Sequence, residues 1–226
     1  AGTFVAPDAA EALARLGMPM AEAMRTQRAV RRLHLEPVSH DVLLPLLELS
    51  LKAPTSSNTQ DWSYLVVEDR AQKAELALLY RRLYRLFNPI VSWQARKDPR
   101  ELRQIAPGQW QAEHFEDLPV FVIPCYRRNL KHRPVGRPQI SVASFYGSVY
   151  PAVQNLLLGC RAVGLGASLQ TLPIWYVPRA RRILGLPRSM NPVCIIPIGW
   201  AKGNYGPTTR RPIGEVVHLD RYGNQP

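Results

Sequence analysis

Apolar residues recur at helical spacing through 11–29, where Ala, Leu and Met alternate with charged positions. The run Leu16-Gly17-Met18-Pro19 interrupts that pattern. Two helices are therefore expected, the second opening near Pro19, whose missing N–H is harmless at a helix start. Residues 1–8 show no period and read as a loose arm. Ser39 stands where an N-cap belongs, ahead of Val42, Leu43, Leu46, Leu47 and Ser50, which form one face of a helix over 41–52. A polar stretch follows, then an extended apolar run over 63–68. The spacing of Leu76, Leu79, Tyr80, Leu83 and Leu86 predicts a helix over 71–87, with Arg81, Arg82 and Arg85 outward.

Residues 88–118 are irregular, with helices expected around 99–104 and 109–116. Trp93, Trp110 and Phe115 are candidates there for lining a pocket, set against plain core packing. An apolar run over 118–125 predicts a buried strand, and the basic, Pro-rich 127–139 a loop. Val149, Ala152, Val153, Leu156, Leu157 and Cys160 make a helix over 144–163 apolar enough to sit in a core or a subunit interface, with Pro151 near its start or at a kink. Gly164 fits its C-terminal cap. A short helix over 177–184, a strand over 192–200 and an alternating edge strand over 215–219 complete the chain.

The length, 226 residues, suits an N-terminal arm over 1–20 and one domain over 21–226, with 80–143 as a variable part. A hydrophobic content of 46% supports a sizeable core. Lys and Arg number 29 against 17 Asp and Glu, a formal +12, so the surface field attracts anions: nucleic acid, acidic membranes or phosphorylated small molecules. Specific nucleic-acid binding is not expected. Arg127, Arg128, Lys131, Arg133 and Arg137 carry no interleaved aromatics after Tyr126. Cys125, Cys160 and Cys194 are scattered in apolar surroundings, which fits a reducing, cytoplasmic setting. No apolar run approaches the roughly 18–20 residues of a membrane span, and residues 1–7 lack a signal-peptide pattern. Gly164 to Leu169 lacks the third glycine and the preceding strand of a dinucleotide fingerprint. His34 and His40 have no third ligand at metal spacing.

Ala53-Pro54-Thr55-Ser56-Ser57-Asn58-Thr59-Gln60-Asp61-Trp62 is rich in short hydroxyl and amide side chains. It resembles the Ala-Pro-Ser-Ser-x-Asn-x-Gln-Pro-Trp signature of FMN-dependent nitroreductases, departing at Thr55 and Asp61. Gln27-Arg28-Ala29-Val30-Arg31 stands where that family carries Arg-Arg-Ser-x-Arg. Gly164-Leu165-Gly166 resembles the ending of its central helix, and Pro197-Ile198-Gly199-Trp200 the ending of its apolar strand. Arg210-Arg211-Pro212 resembles its Arg-x-Pro segment.

The resemblance implies an α+β fold with a central, mostly antiparallel sheet flanked by helices. It further implies an intertwined homodimer whose C-terminal strand joins the partner's sheet. It implies FMN held by Gln27, Arg28, Ala29, Arg31, Arg210 and Arg211 at the ribityl-phosphate. Pro54, Thr55, Ser56, Asn58 and Gln60 would reach the flavin from the partner, and Leu169, Gln170 and Thr171 would border the ring. The implied reaction is ping-pong hydride transfer through flavin N5, from NADPH (favoured by the basic surface) or NADH to a flat nitroaromatic or quinone, with no catalytic side chain. Alternatives on the same fold are dehalogenation, flavin cleavage or dehydrogenation of a small metabolite. Outside it lie a flavin-binding protein without turnover and a basic nucleic-acid-binding protein.

Overall fold

The computed structural model describes residues 4–127 and 138–226, and their side chains except over 99–104 and 138–142. Its centre is an antiparallel sheet of β1 (Trp62–Val67), β2 (Val120–Arg127), β3 (Leu165–Ala167), β4 (Met190–Pro192) and β5 (Ile196–Trp200). The order is β1-β2-β5-β3, with β4 paired to the end of β2. Leu65 faces Ile123, Val122 faces Ile196 and Gly166 faces Gly199 across the ladders.

Side chains of β2 point alternately to two cores, as the period of two requires. Val120 and Val122 pack with α1 (Ala9–Ala14), α3 (His40–Ser50) and α6 (Pro138–Val163). Phe121, Ile123 and Cys125 pack on the opposite face with α4 (Arg70–Ala95), α5 (Pro99–Glu113) and α7 (Val177–Ile183). Burial on both faces explains why β2 reads as a continuous apolar run. Lys73 of α4, itself buried, donates to the carbonyls of Leu118 (2.7 Å) and Pro119 (3.1 Å) and so ties the helix to the entrance of β2.

The break over 15–19 is as expected: α1 ends in a 3-10 turn, Arg15–Gly17, and α2 (Met20–Thr26) opens after Pro19. Asp8 caps α1 by accepting from the Glu11 N–H at 2.8 Å. Other boundaries moved. The helix over 71–87 continues through Pro89 to Ala95, because Phe87, Val91 and Ala95 keep the cleft-facing period of Tyr80 and Tyr84. The two short helices near 99–104 and 109–116 are the single α5, with Pro107 inside, followed by a 3-10 turn Phe115–Asp117. An interior proline costs about 3 kcal/mol in an isolated helix, so packing between α4 and α5 overrides the local signal. The helix expected from 144 begins at Pro138, which puts Pro151 well inside α6. Of the basic loop over 127–139, Arg127 closes β2 and 138–139 open α6; residues 128–137 lie outside the described residues.

The strand over 192–200 is split between β4 and β5. Between them Ile195 exchanges backbone hydrogen bonds with Gln170, 2.8 Å each way. The edge strand over 215–219 is not formed. Ile213–Glu215 is a 3-10 turn, and among the described residues the tail pairs with no strand. Gly164 caps α6 with φ +89°, and its N–H donates to Arg161 O. Among the described residues no helix is long and apolar enough to cross a membrane.

Candidate cofactor and substrate site

Segment 27–34 runs from the end of α2 along the edge of the sheet. The Gln27 N–H closes α2 on Ala23 O, Val30 donates to Ala167 O at 3.0 Å, and His34 donates to Trp200 O at 2.8 Å. Gly166 makes this approach possible: a Cβ there would sit 2.5 Å from Leu33 Cδ2 and 2.8 Å from Val30 Cγ1. Arg28 and Ala29 are left exposed, while Arg31 is half-buried.

The far end of the chain returns to this place. The Thr208 N–H and hydroxyl both donate to Arg25 O, at 2.9 and 3.1 Å. That anchors the segment carrying Arg210 and Arg211, both exposed, at the end of α2. Arg161 braces the junction. Its Nε donates to Thr26 Oγ1 at 2.7 Å, it lies 4.2 Å over the Tyr205 ring, and it pairs with Glu22 at 3.7 Å. Sequence reading missed Arg161; its signal was a lone cation on an otherwise uncharged stretch of α6.

Arg31 looks the other way, into a cleft of about 640 Å³ between α4, α5 and the segment 170–175. Tyr80, Tyr84, Phe87 and Trp175 supply aromatic walls, and Gln170 a polar point. Phe87 and Trp175 meet at 5.7 Å between ring centroids. Behind the wall a chain of buried and half-buried hydrogen bonds fixes the polar groups. Tyr80 donates to Gln170 Oε1 (3.2 Å), Gln170 Nε2 to Gln111 Oε1 (2.7 Å), and Gln111 Nε2 to Ser168 Oγ (2.7 Å). Burial pushes the Tyr80 hydroxyl up to about 12, against the pull of Arg31, so it stays a neutral donor. Of the residues expected at the ring, Gln170 lines the cleft. Leu169 packs into the α6-side core, and Thr171 is exposed at the start of the turn Leu172–Ile174. Tyr80, Tyr84, Phe87 and Trp175 were not singled out for the site, because aromatics at helical spacing read as core. Phe115 is corrected to core: it is fully buried against Tyr80 and Phe121. Trp110 stacks on His114, and Trp93 is exposed at the end of α4.

The polar loop lies elsewhere. Ser56–Asn58 is a 3-10 turn in which Ser57 and Asn58 have φ 51°, and Gln60 follows at φ 50°. Left-handed backbone at three non-glycine residues so close together is costly and marks a constrained segment. Its bonds are mostly internal: Gln60 N–H to Thr55 Oγ1 at 3.2 Å, and Gln60 Nε2 to Asn58 Oδ1 at 3.2 Å. The Ser56 N–H donates to Ser148 Oγ of α6 at 3.1 Å. Pro54, Ser56, Asn58 and Gln60 are exposed and Thr55 half-buried. The loop is thus pinned to the α6 layer, across the sheet from α4 and α5, and none of its residues lines the cleft.

Among the described residues no cluster of His, Cys, Asp or Glu could hold a metal ion. His40 pairs with Glu68 at 3.1 Å and His34 stacks on Phe4. All three cysteines are buried, and burial pushes their thiols up to about 12, so none is a nucleophile near neutrality.

The junction of the two chain ends at Arg25 and Thr208, an aromatic cleft and a strained polar loop on this antiparallel α+β frame define a class. The family model described as Nitroreductase family matches residues 24–200, and the chain belongs to that family. More particular likenesses are to an iodotyrosine deiodinase of Nematostella vectensis, 23% identical over 208 residues (88% of this chain, 74% of the relative), and to an NADH dehydrogenase of Thermus thermophilus, 26% identical over 219 residues (84% and 91%). Among solved structures, an iodotyrosine deiodinase bound to FMN and 3-iodo-L-tyrosine superposes with a TM-score of 0.67 at 21% identity, over 90% of this chain and 98% of that one. At that identity the likeness speaks for the fold.

Proposed function

We propose that the protein is an FMN-dependent oxidoreductase that uses NAD(P)H, NADPH preferred, to reduce flat nitroaromatic or quinone-like acceptors in the cytoplasm. The observation that carries this reading is the pair of hydrogen bonds from Thr208 to Arg25 O. They bring two arginine groups from opposite ends of the chain to one place, beside a cleft with aromatic walls. FMN bound there supplies reversible two-electron hydride chemistry, so no side-chain nucleophile is required.

The residues present fit that cofactor. Arg28, Arg210 and Arg211 hold the phosphate through charge-assisted bonds. Gln27 and the backbone at Ala29 border the ribityl chain; Ala29 brings no side-chain donor. Arg31, facing the cleft beside Tyr80 and Gln170, serves the ring end more than the phosphate. Gln170, with Leu169 and Thr171 as its neighbours in the chain, is held in orientation by Gln111. Pro54, Thr55, Ser56, Asn58 and Gln60 complete the site from a second copy, because in their own protomer they face away from the cleft. The aromatic walls exclude water and stack flat acceptors.

Reductive dehalogenation of a halotyrosine is the second reading, favoured by the deiodinase relatives. Among the described residues the cleft lining holds a cation but no carboxylate to pair an amino-acid ammonium, which favours acceptors without one. NADPH oxidation followed with a quinone, a nitroaromatic and 3-iodotyrosine in parallel tests the reading. Turnover with the first two is expected. Turnover with iodotyrosine alone, or with none, contradicts it.

A further inference from the structure

The cleft uses one face of α4, and a neighbouring face is left uncovered. Leu79, Leu83, Leu86, Ile90 and Trp93 follow one another at alternating spacings of four and three, the repeat of an apolar stripe along one side of a helix. The stripe begins buried at Leu79 and emerges at Leu86 (65% exposed), Ile90 (56%) and Trp93 (63%). Trp175 and Tyr176, also exposed, extend it past the cleft mouth, linked to α4 through the Phe87–Trp175 contact. Cations rim it: Arg82, Arg85, Arg96 and Lys97 beside α4, and Arg179 and Arg182 on α7, all exposed. Along the chain the stripe itself carries no acid. No Asp or Glu occurs between Glu75 and Asp98, or between Asp117 and Glu215. Apolar patches of this kind, rimmed by polar residues, mark interaction sites.

We infer that this face docks on the surface of an anionic lipid bilayer. The charge decides among occupants. A second copy laid face to face would set arginine against arginine with no acid to pair. Nucleic acid would satisfy the arginines but leave Leu86, Ile90 and Trp93 in water. An anionic bilayer satisfies both: its headgroups meet the rim, while the apolar stripe and Trp93 enter the interfacial layer where aromatic rings concentrate. Docking is peripheral, since no described helix can span. Phe87, Val91 and Trp175 belong to both the cleft wall and this surface, so the cleft mouth comes to rest against the lipid. The inference does not depend on the flavin.

The test is co-sedimentation of the full chain with vesicles of phosphatidylcholine alone and with about a third phosphatidylglycerol, at low and high salt. Binding to the anionic vesicles should exceed binding to neutral ones by roughly tenfold or more and fall at high salt. Arg82→Glu with Arg85→Glu should lower it by roughly thirtyfold or more, given the known worth of a cation near such a surface. Leu86→Ser with Trp93→Ser should also lower it, without loss of stability, because these side chains are already in water. Equal or absent binding to both vesicle types overturns the inference, as does wild-type binding by the Leu86/Trp93 variant. A change of oligomeric state in that variant, read by light scattering, would assign the face to a second copy instead.

Discussion

The wall around Gln170 and the loop over 54–60 bring similar chemistry, amides and hydroxyls, under opposite conditions. In the wall, Tyr80, Gln111 and Ser168 are buried and their hydrogen bonds run in one fixed direction to and from Gln170. In the loop, the side chains are mostly exposed, the bonds are local and three residues sit in left-handed backbone. One region is finished within the protomer. The other holds an unfavourable shape at the surface, in the α6 layer and away from the cleft. On the proposed reading, a single copy builds one side of the site and presents the other side outward.

The largest expected effect sets the buried groups, Tyr80 of the wall and the thiols of the two cores, against the exposed loop, and it appears with alkali. The buried thiols of Cys125, Cys160 and Cys194 are raised to about 12, as is Tyr80. The unfolded chain releases these protons first, near pH 9 for thiols and pH 10 for tyrosine. Folding stability is therefore fully present below pH 9 and is lost as pH rises toward 12. Urea midpoints measured from pH 7 to 11 should fall steadily above 9, and the thiols should resist alkylation at pH 8 until the protein unfolds. A flat profile would mean that these thiols and Tyr80 are open to water.

Gln111→Leu comes next. It removes the 2.7 Å partner of both Gln170 Nε2 and Ser168 Oγ, leaving only the 3.4 Å bond between them, and should cost about 1–3 kcal/mol in urea unfolding. Ser56→Ala in the loop should stay within about 0.5 kcal/mol, since the Ser56 bond to α6 is made by backbone. Equal effects would erase the comparison.

Arg210→Ala should leave stability unchanged, because the side chain is exposed and its recorded bond is to the adjacent Thr209 carbonyl. It should weaken FMN by about 10–100-fold, the worth of a charge-assisted phosphate contact of about 1.5–3 kcal/mol. Flavin retained after dialysis measures this, and unchanged retention removes Arg210 from the site. The smallest effects belong to Asn58. Asn58→Gly suits φ 51° and should shift stability by only a few tenths of a kcal/mol, while Asn58→Ala should cost about 1 kcal/mol. Both should lower turnover if the amide touches the cofactor.

Much of the fold was legible because local and global signals agree. The continuous apolar run over 118–125 and the stripe of 144–163 both meet cores that the structure supplies. The polar loop was legible from residue order. The cleft was not. Pro89 and Pro107 hid the continuity of α4 and α5, whose packing outweighs the lost helix bonds. Tyr80, Tyr84 and Phe87 have the period of core residues, and only the placement of α5 turns them into a wall. Gln111 and Ser168 are ordinary polar residues until burial pairs them. The tail at 215–219 alternates as a strand does, yet a strand needs a pairing partner and among the described residues it has none.

In the proposed dimer the arginine anchor of one copy and the polar loop of the other share one FMN. The direct measurement is flavin absorbance after co-refolding Arg210→Ala and Asn58→Ala chains in equal amounts, with each variant alone as control. The claim predicts little bound flavin in either variant, and recovery in the mixture of about a quarter of the wild-type sites, since half of the symmetric dimers pair unlike chains and each such dimer has one intact site of two. A mixture that binds no more flavin than the average of the two variants would contradict it.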